Sequence, residues 1–318
     1  MKFKPGRGVI KTSPRARDWI AGVVSGIEYK EVVADGQWDA WLVDKELQYG
    51  ITFDTLNCTG FATLNAIEIQ QFQQTGVQEN YSDRFLAHID GLTDFGNTIT
   101  APPDAIRKLG VCKESTWSWP RLDPNFTKVE YIFTPPPQTA YDEGVEWLKR
   151  WKLMYELLID TQPATLIYHL KHVPLNVISS VCPGWGTDDV VQGCGIGNGH
   201  EYTIYGYDEG NFWKVLDHYD KDKKKLAWNY QFKAAIKNLL IPNETSMSPE
   251  AEAYLKSHDK KLVLAVPSGR NGYVKNMEIM EFNTSDRATL ATLAVMRENG
   301  LGGGVTDALY DSCPKRPF

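Results

Sequence analysis

Apolar residues recur at helical spacing from Thr55 to the Thr75-Gly76 stop, where Phe61, Leu64, Ala66, Ile67, Ile69 and Phe72 form one stripe. Asp54 or Thr55 is suited to cap that helix. A second, short helix is predicted from Asp104 to Leu109-Gly110, behind the breaker Ala101-Pro102-Pro103. A third runs from Ala140 to Ile159, with Val145, Leu148, Trp151, Tyr155 and Leu158 three and four residues apart. After a short helix over Leu166 to His172, the pattern shortens. Pro174 to Val181 reads as a strand, and residues 182–199, with six glycines, read as a long loop. Glu201 to Tyr207 and Phe212 to Leu216 are strands flanking the turn Asp208-Glu209-Gly210-Asn211. Leu226 to Phe232 suggests one more.

Helices first and strands later predict an α+β fold with segregated layers. Residues from about 243 look appended. Two strands (Lys261 to Val266, Tyr273 to Phe282) and a helix (Asp286 to Glu298) are expected there. The chain therefore divides into an arm at 1–37, a main domain at 38–242 and a small accessory segment at 243–318.

Composition removes several functional classes. A net charge of -6 weighs against a nucleic-acid partner. The basic residues Lys2, Lys4, Arg7, Lys11, Arg15 and Arg17 read as a solvated arm. There is no run of about 18 apolar residues, so no membrane span is expected. No apolar stretch follows the basic start, so a cleaved secretory signal is not expected either, and the setting reads as intracellular. Five cysteines make no disulfide framework; Cys182 and Cys194 would pair only in an oxidising environment. The Asn-x-Ser/Thr sites carry no weight without a secretory signal.

Three residues concentrate the chemistry. Cys58 stands at the first turn of the predicted helix, where the helix dipole and free N–H groups favour a thiolate. A lone cysteine there is more often a buried core residue. His200 changes that balance. It follows Cys58 by 142 residues, within the roughly 130–150 that separate a papain-type cysteine from its histidine. It also opens a strand directly after the glycine-rich loop. Asp217, across the hairpin, is placed to accept the Nδ1–H of His200 and fix its orientation. Cys182, Cys194 and His200, or His169 and His172, match no zinc spacing, so neither a metal nor another cofactor is expected.

The segment Cys58 to Glu68 resembles the nucleophile helix of papain-like cysteine peptidases. Gly199-His200-Glu201-Tyr202-Thr203-Ile204-Tyr205-Gly206-Tyr207 is similar to their histidine strand, and Phe212 to Tyr219 to their asparagine strand. Leu109 to Pro120 and His169 to Val177 are weaker echoes in the same order. The resemblance covers about residues 38–235. It implies a two-lobed papain-like fold, helical lobe then antiparallel β lobe, and a Cys58–His200 dyad acting on a peptide or protein.

This chain departs from the family at informative places. Asp217 stands where the family has asparagine, Thr59 where tryptophan follows the nucleophile, and Tyr219 where tryptophan shields the asparagine. The oxyanion glutamine normally lies six residues before the cysteine, a position held here by Thr52. Gln48, ten residues before, takes that role if a short insertion separates it from Cys58. Trp117, Trp119 and Trp185 are candidate subsite walls. Glu46-x-Gln48 resembles divergent bacteriophage members, which implies a host-cytoplasmic or virion-associated setting and other virion proteins as further partners. With 57 residues before Cys58, a member without an inhibitory propeptide is expected. Two other readings stand beside the peptidase: an inactive papain-like assembly protein, and a Cys–His hydrolase acting on peptidoglycan.

Overall fold

The computed structural model describes residues 8–10, 31–44, 46–195, 199–219 and 223–243, and the backbone of 261–268 and 276–283. The chain separates into two units, Met1–Ile241 and Pro242–Phe318.

In the first unit, α1 (Cys58–Thr75) leads four further helices: α2 (Asp83–Ile89), α3 (Ala101–Leu109), α4 (Lys128–Phe133) and α5 (Gln138–Arg150). Then come β1 (Trp151–Leu157), α6 (Pro163–Leu170), β2 (Leu175–Ser180), β3 (Val190–Val191), β4 (Gly199–Asp208), β5 (Phe212–Leu216), β6 (Lys223–Ala227) and β7 (Phe232–Pro242). The seven strands form one sheet in the order β1-β7-β2-β4-β5-β6-β3. β2, β4, β5 and β6 are successively antiparallel, and β3 lies parallel to β6. Helices first and a mostly antiparallel sheet afterwards are the expected α+β order.

Two expected elements are redrawn. The helix predicted from Ala140 to Ile159 stops at Arg150, and Trp151–Leu157 is an edge strand whose Trp151, Leu153 and Tyr155 are buried. Those aromatics fit a two-residue period as well as a helical one, and pairing with the sheet decides between them. The strand expected from Leu226 to Phe232 is a turn joining the ends of two strands: β6 starts three residues earlier, and β7 begins at Phe232. Pro102 and Pro103 break nothing. They occupy the start of α3, where a missing N–H is harmless.

The helix α1 is buried continuously from Cys58 to Gln71, not along one stripe. Its polar side chains are therefore matched inside the molecule. Gln70 Nε2 donates to the Asn238 carbonyl at 2.7 Å, and its Oε1 accepts from the Leu240 N–H at 3.0 Å. Glu68 accepts from the Tyr81 N–H at 2.8 Å. These bonds tie α1 to β7 and to the chain before α2. On β4, alternate residues face opposite ways. Thr203 donates to the Ala62 carbonyl of α1 at 3.1 Å. Tyr202 and Ile204 enter the core on the other side, with Val177, Trp185, Val215 and Leu226.

In the second unit, β8 (Lys261–Ser268) and β9 (Asn276–Asn283) pair antiparallel, Lys261 opposite Asn283. The helix expected at Asp286 to Glu298 lies outside the described residues.

Candidate active site

Cys58 is the first residue of α1 and is fully buried. The helix is not capped by Asp54 or Thr55. Asn57 holds the cap position without a capping bond, its amide donating instead to the Asp83 carbonyl and the Tyr131 hydroxyl at 3.1 Å. Leu56 enters the helix with φ at 57°, a left-handed conformation unusual for a branched residue and found at constrained sites. Asp54 holds that turn by accepting from the Leu56 N–H at 2.9 Å.

The sheet supplies the other half. His200, at the start of β4, is fully buried, and its Nε2 lies 2.7 Å from Asp217 Oδ1. The ring nitrogen facing Asp217 is therefore Nε2, not the expected Nδ1. Nδ1 is buried and has no partner. Asp217 also accepts from Lys224 Nζ at 2.7 Å and from the Trp185 indole N–H at 2.8 Å, both on Oδ2. Burial works to raise the Asp217 carboxyl pKa, but His200 and Lys224 override it and hold the group well below the usual carboxylate range. Trp185 is thus not a subsite wall. It is buried edge-on to His200, with ring centroids 5.9 Å apart. Trp119 is likewise buried, packed on Tyr131 and Phe53. Tyr219 lies on another side of His200, centroids 5.4 Å apart.

Sequence reading missed Lys224. The signal is the run Lys223-Lys224-Lys225 in a strand, where alternation turns the middle lysine inward. It also set aside the Cys182–Cys194 pairing, yet these two form a disulfide, with Cα atoms 5.5 Å apart, across the loop that carries Trp185.

The backbone of Glu201, next to His200, works to lower the Cys58 thiol pKa. Burial nonetheless pushes the thiol pKa far up, and the carboxyl groups of Glu201, Asp54 and Asp217 add to the rise. Burial here thus works against the thiolate that the helix start favours. The chain's own N-terminal segment is part of the reason. A Cβ on Gly8 would stand 2.7 Å from Cys58 Sγ and 2.3 Å from the Leu56 carbonyl oxygen. The Gly8 carbonyl accepts from the Asn97 N–H at 2.8 Å, and the Ile10 N–H donates to the Asn97 carbonyl at 2.7 Å, a parallel bridge centred on Val9. Gly96, at φ 98°, approaches the Gly8 carbonyl so closely that a Cβ there would sit 2.0 Å from it. Residues 8–10 of the expected solvated arm are therefore docked beside the thiol.

Gln48 is buried near the same centre. Tyr49 bridges to Asp54, and the Gly50 N–H donates to the Phe53 carbonyl at 3.0 Å. Residues 50–53 thus form a small turn between Gln48 and Cys58. Gln48 Nε2 donates to Asp54 Oδ1 and to the Tyr219 hydroxyl, both at 2.9 Å, so both amide hydrogens are engaged here.

Among the described residues, one group has metal-ligand spacing: His200, Asp217 and His218. It does not fit a cation. Both Asp217 oxygens are occupied, one of them by an ammonium. The His218 ring nitrogens are also taken, Nε2 lying 3.1 Å from the Glu201 carbonyl and Nδ1 3.4 Å from the Asn65 amide. No helix among the described residues is long and apolar enough to cross a membrane.

No family model and no curated protein sequence matches this chain. Solved structures do. Xylellain, a cysteine protease from Xylella fastidiosa, superposes with a TM-score of 0.53 at 16% identity, over 76% of this chain and 98% of its own. The procathepsin B S9 from Trypanosoma congolense gives 0.53 at 14% identity, over 74% and 86%. A digestive procathepsin L 3 of Tenebrio molitor gives 0.50 at 16%, over 74% and 76%. The chain has the papain-like fold.

Proposed function

We propose that this protein is a cysteine peptidase, with Cys58 as nucleophile, His200 as its general base and Asp217 orienting the imidazole. The observation that carries this reading is the state of His200. One nitrogen is fixed on Asp217, while the other, buried and unpartnered, is left for a proton transfer. Unpaired polar atoms in a protein interior are costly and cluster where chemistry needs them. The papain-like fold of the structural neighbours, which are cysteine proteases, supports the same reading.

In the mechanism, His200 Nδ1 takes the Cys58 proton, and the thiolate attacks the carbonyl carbon of a peptide bond. The Cys58 N–H and the Gln48 amide are the proposed donors to the oxyanion, Gln48 giving up one of its present bonds. The 50–53 turn supports this, because excluding those four residues restores the six-residue step of the family. The C–N bond breaks as His200 returns the proton to the leaving amine. Water, deprotonated by His200, then cleaves the thioester, releasing the acid and restoring the thiol. All of this requires residues 8–10 to leave the sulfur first.

A second reading draws on one observation, the fully buried Cys58 sulfur packed beneath Gly8. A papain-like scaffold with an assembly role would leave its cysteine in that state permanently. Covalent labelling with an epoxysuccinyl thiol probe, read by mass spectrometry, separates the two. The peptidase reading expects one adduct on Cys58 that is lost in His200→Ala. Labelling of Cys58 no faster than that of Cys112 would leave the scaffold reading standing.

A further inference from the structure

Asp217 holds more partners than an orienting residue needs. Its Oδ2 takes the Lys224 ammonium and the Trp185 indole, while only Oδ1 serves His200. The side chains of Lys224 and Asp217 are 1% and 0% exposed. Geometry explains how the lysine arrives. Lys224 stands opposite Val215 in the β5–β6 ladder, and Asp217 lies two residues further on, so the two are diagonal neighbours across the strands. The surroundings do not call for a charge: Val215, Leu226, Trp185 and Tyr202 make an apolar layer. A lysine buried in such a layer is strongly disfavoured unless paired. Its one ionic partner there is Asp217.

The pairing has a chemical consequence. A lone buried carboxylate would hold His200 as imidazolium and would set a full negative charge beside the sulfur, opposing thiolate formation. Cancelling that charge keeps the acceptor geometry of a carboxylate with the net charge of an amide. We infer that Lys224 is a positioning residue of the Cys58–His200 pair, forming with Asp217 a neutral unit that orients His200 without loading the site with negative charge. Its catalytic meaning rests on the peptidase reading; its effect on His200 does not.

The other groups facing His200 are fixed or neutral. They are Trp185 from the disulfide-closed loop, Tyr202 on its own strand, and His218 and Tyr219 after β5. Asp54 acts through the Tyr219 hydroxyl, and burial raises the Glu201 carboxyl well above the usual carboxylate range.

The test is a double-mutant cycle on the full chain with Lys224→Met, Asp217→Asn and the combined variant. Labelling of Cys58 by iodoacetamide is followed against pH, beside thermal melting. Lys224→Met should slow labelling about tenfold, because the uncompensated carboxylate opposes a thiolate more than its imidazolium partner offsets, and should move the alkaline limb of the profile upward, because that carboxylate holds the imidazolium. Asp217→Asn strands the ammonium and should cost more, about 100-fold. The combined variant, neutral on both sides, should recover most of that loss and label at least about tenfold faster than Asp217→Asn alone. A merely structural pair would shift the melting temperature and leave the limb in place, which overturns the inference. So would a combined variant that folds but labels as slowly as the two losses multiplied. If Lys224→Met alone fails to fold, the combined variant decides by the same criterion. If wild-type Cys58 labels no faster than Cys112, the peptidase reading fails separately. The His200 imidazole titration, followed by NMR in wild type and Lys224→Met, then carries the test, and an unchanged titration refutes the inference.

Discussion

The sheet side and the helix side of the site are held in opposite ways. On the sheet side, His200, Asp217, Lys224 and Trp185 form a closed set in which every Asp217 oxygen is matched and the tryptophan is anchored in a disulfide-closed loop. On the helix side, Cys58 has a strained residue before it, three carboxyl groups around it and a glycine of the chain's own arm against its sulfur. A hydrogen-bonded network of buried charges cannot be partly assembled without large cost, so it is built once and kept. A thiol tolerates burial as a small apolar group, so it can wait in a protonated state. The orienting half of the site is permanent in this fold, and the reacting half depends on what lies over it.

The most severe way to break this contrast is to remove the reacting atom. Cys58→Ala should lower peptide hydrolysis by at least about 1,000-fold, while the melting temperature stays within a few degrees. A variant that kept measurable turnover would place the nucleophile elsewhere. Next in size is the loop that anchors Trp185. Cys182→Ser with Cys194→Ser opens a short loop and should cost about 2–3 kcal/mol of stability by chemical denaturation. A loss of activity larger than the stability loss would show that the bond serves Trp185 and Asp217.

The comparison sharpens on the helix side with Gly8→Leu. A side chain there must displace either the segment or the sulfur, so residues 8–10 should detach and Cys58 labelling should accelerate about tenfold. Unchanged labelling would mean that Gly8 does not limit access. The smallest effect concerns pH. Burial foremost, with Asp83 adding to it, raises the Glu46 carboxyl pKa to about 7. Its protonated form therefore favours the folded chain, and this contribution is full below the unfolded value near 4.5 and lost as pH rises through 7. Glu46 is partly exposed, so the effect is at most about 3 kcal/mol before solvent screening reduces it. Melting temperatures should fall from pH 5 to pH 8, and Glu46→Gln should flatten that slope.

Much of the fold was legible because helices and strands here obey different periods in different halves of the chain. The β4–β5 hairpin was marked by Asp208-Glu209-Gly210-Asn211, and α1 by its apolar spacing and its glycine stop. The failures share a cause. Trp151, Tyr155 and Leu158 satisfy a helical period, and only the pairing of β1 with β7 shows that the first two belong to a strand. The same limit applied to the site. Cys58, His200 and Asp217 stood out because their types and spacing carry chemistry. Lys224 did not, because among three lysines its burial depends on strand register. Trp185 was noticed as an aromatic, but its bond to Asp217 depends on a loop whose course no local rule describes. The contact of Gly8 with Cys58 joins residues 50 apart through a two-bond bridge to Asn97, and nothing in a basic arm announces it.

The parallel bridge between Val9 and Asn97 has a consequence for how the protein responds to its surroundings. A peptide entering along Asn97 competes with a strand that belongs to the same molecule. Such a competitor is covalently part of the chain, and diluting the protein does not weaken it. Occupancy of the Asn97 edge is thus a property of each single chain. It sets a threshold that a ligand must exceed by its own concentration and affinity, whatever the number of other copies nearby.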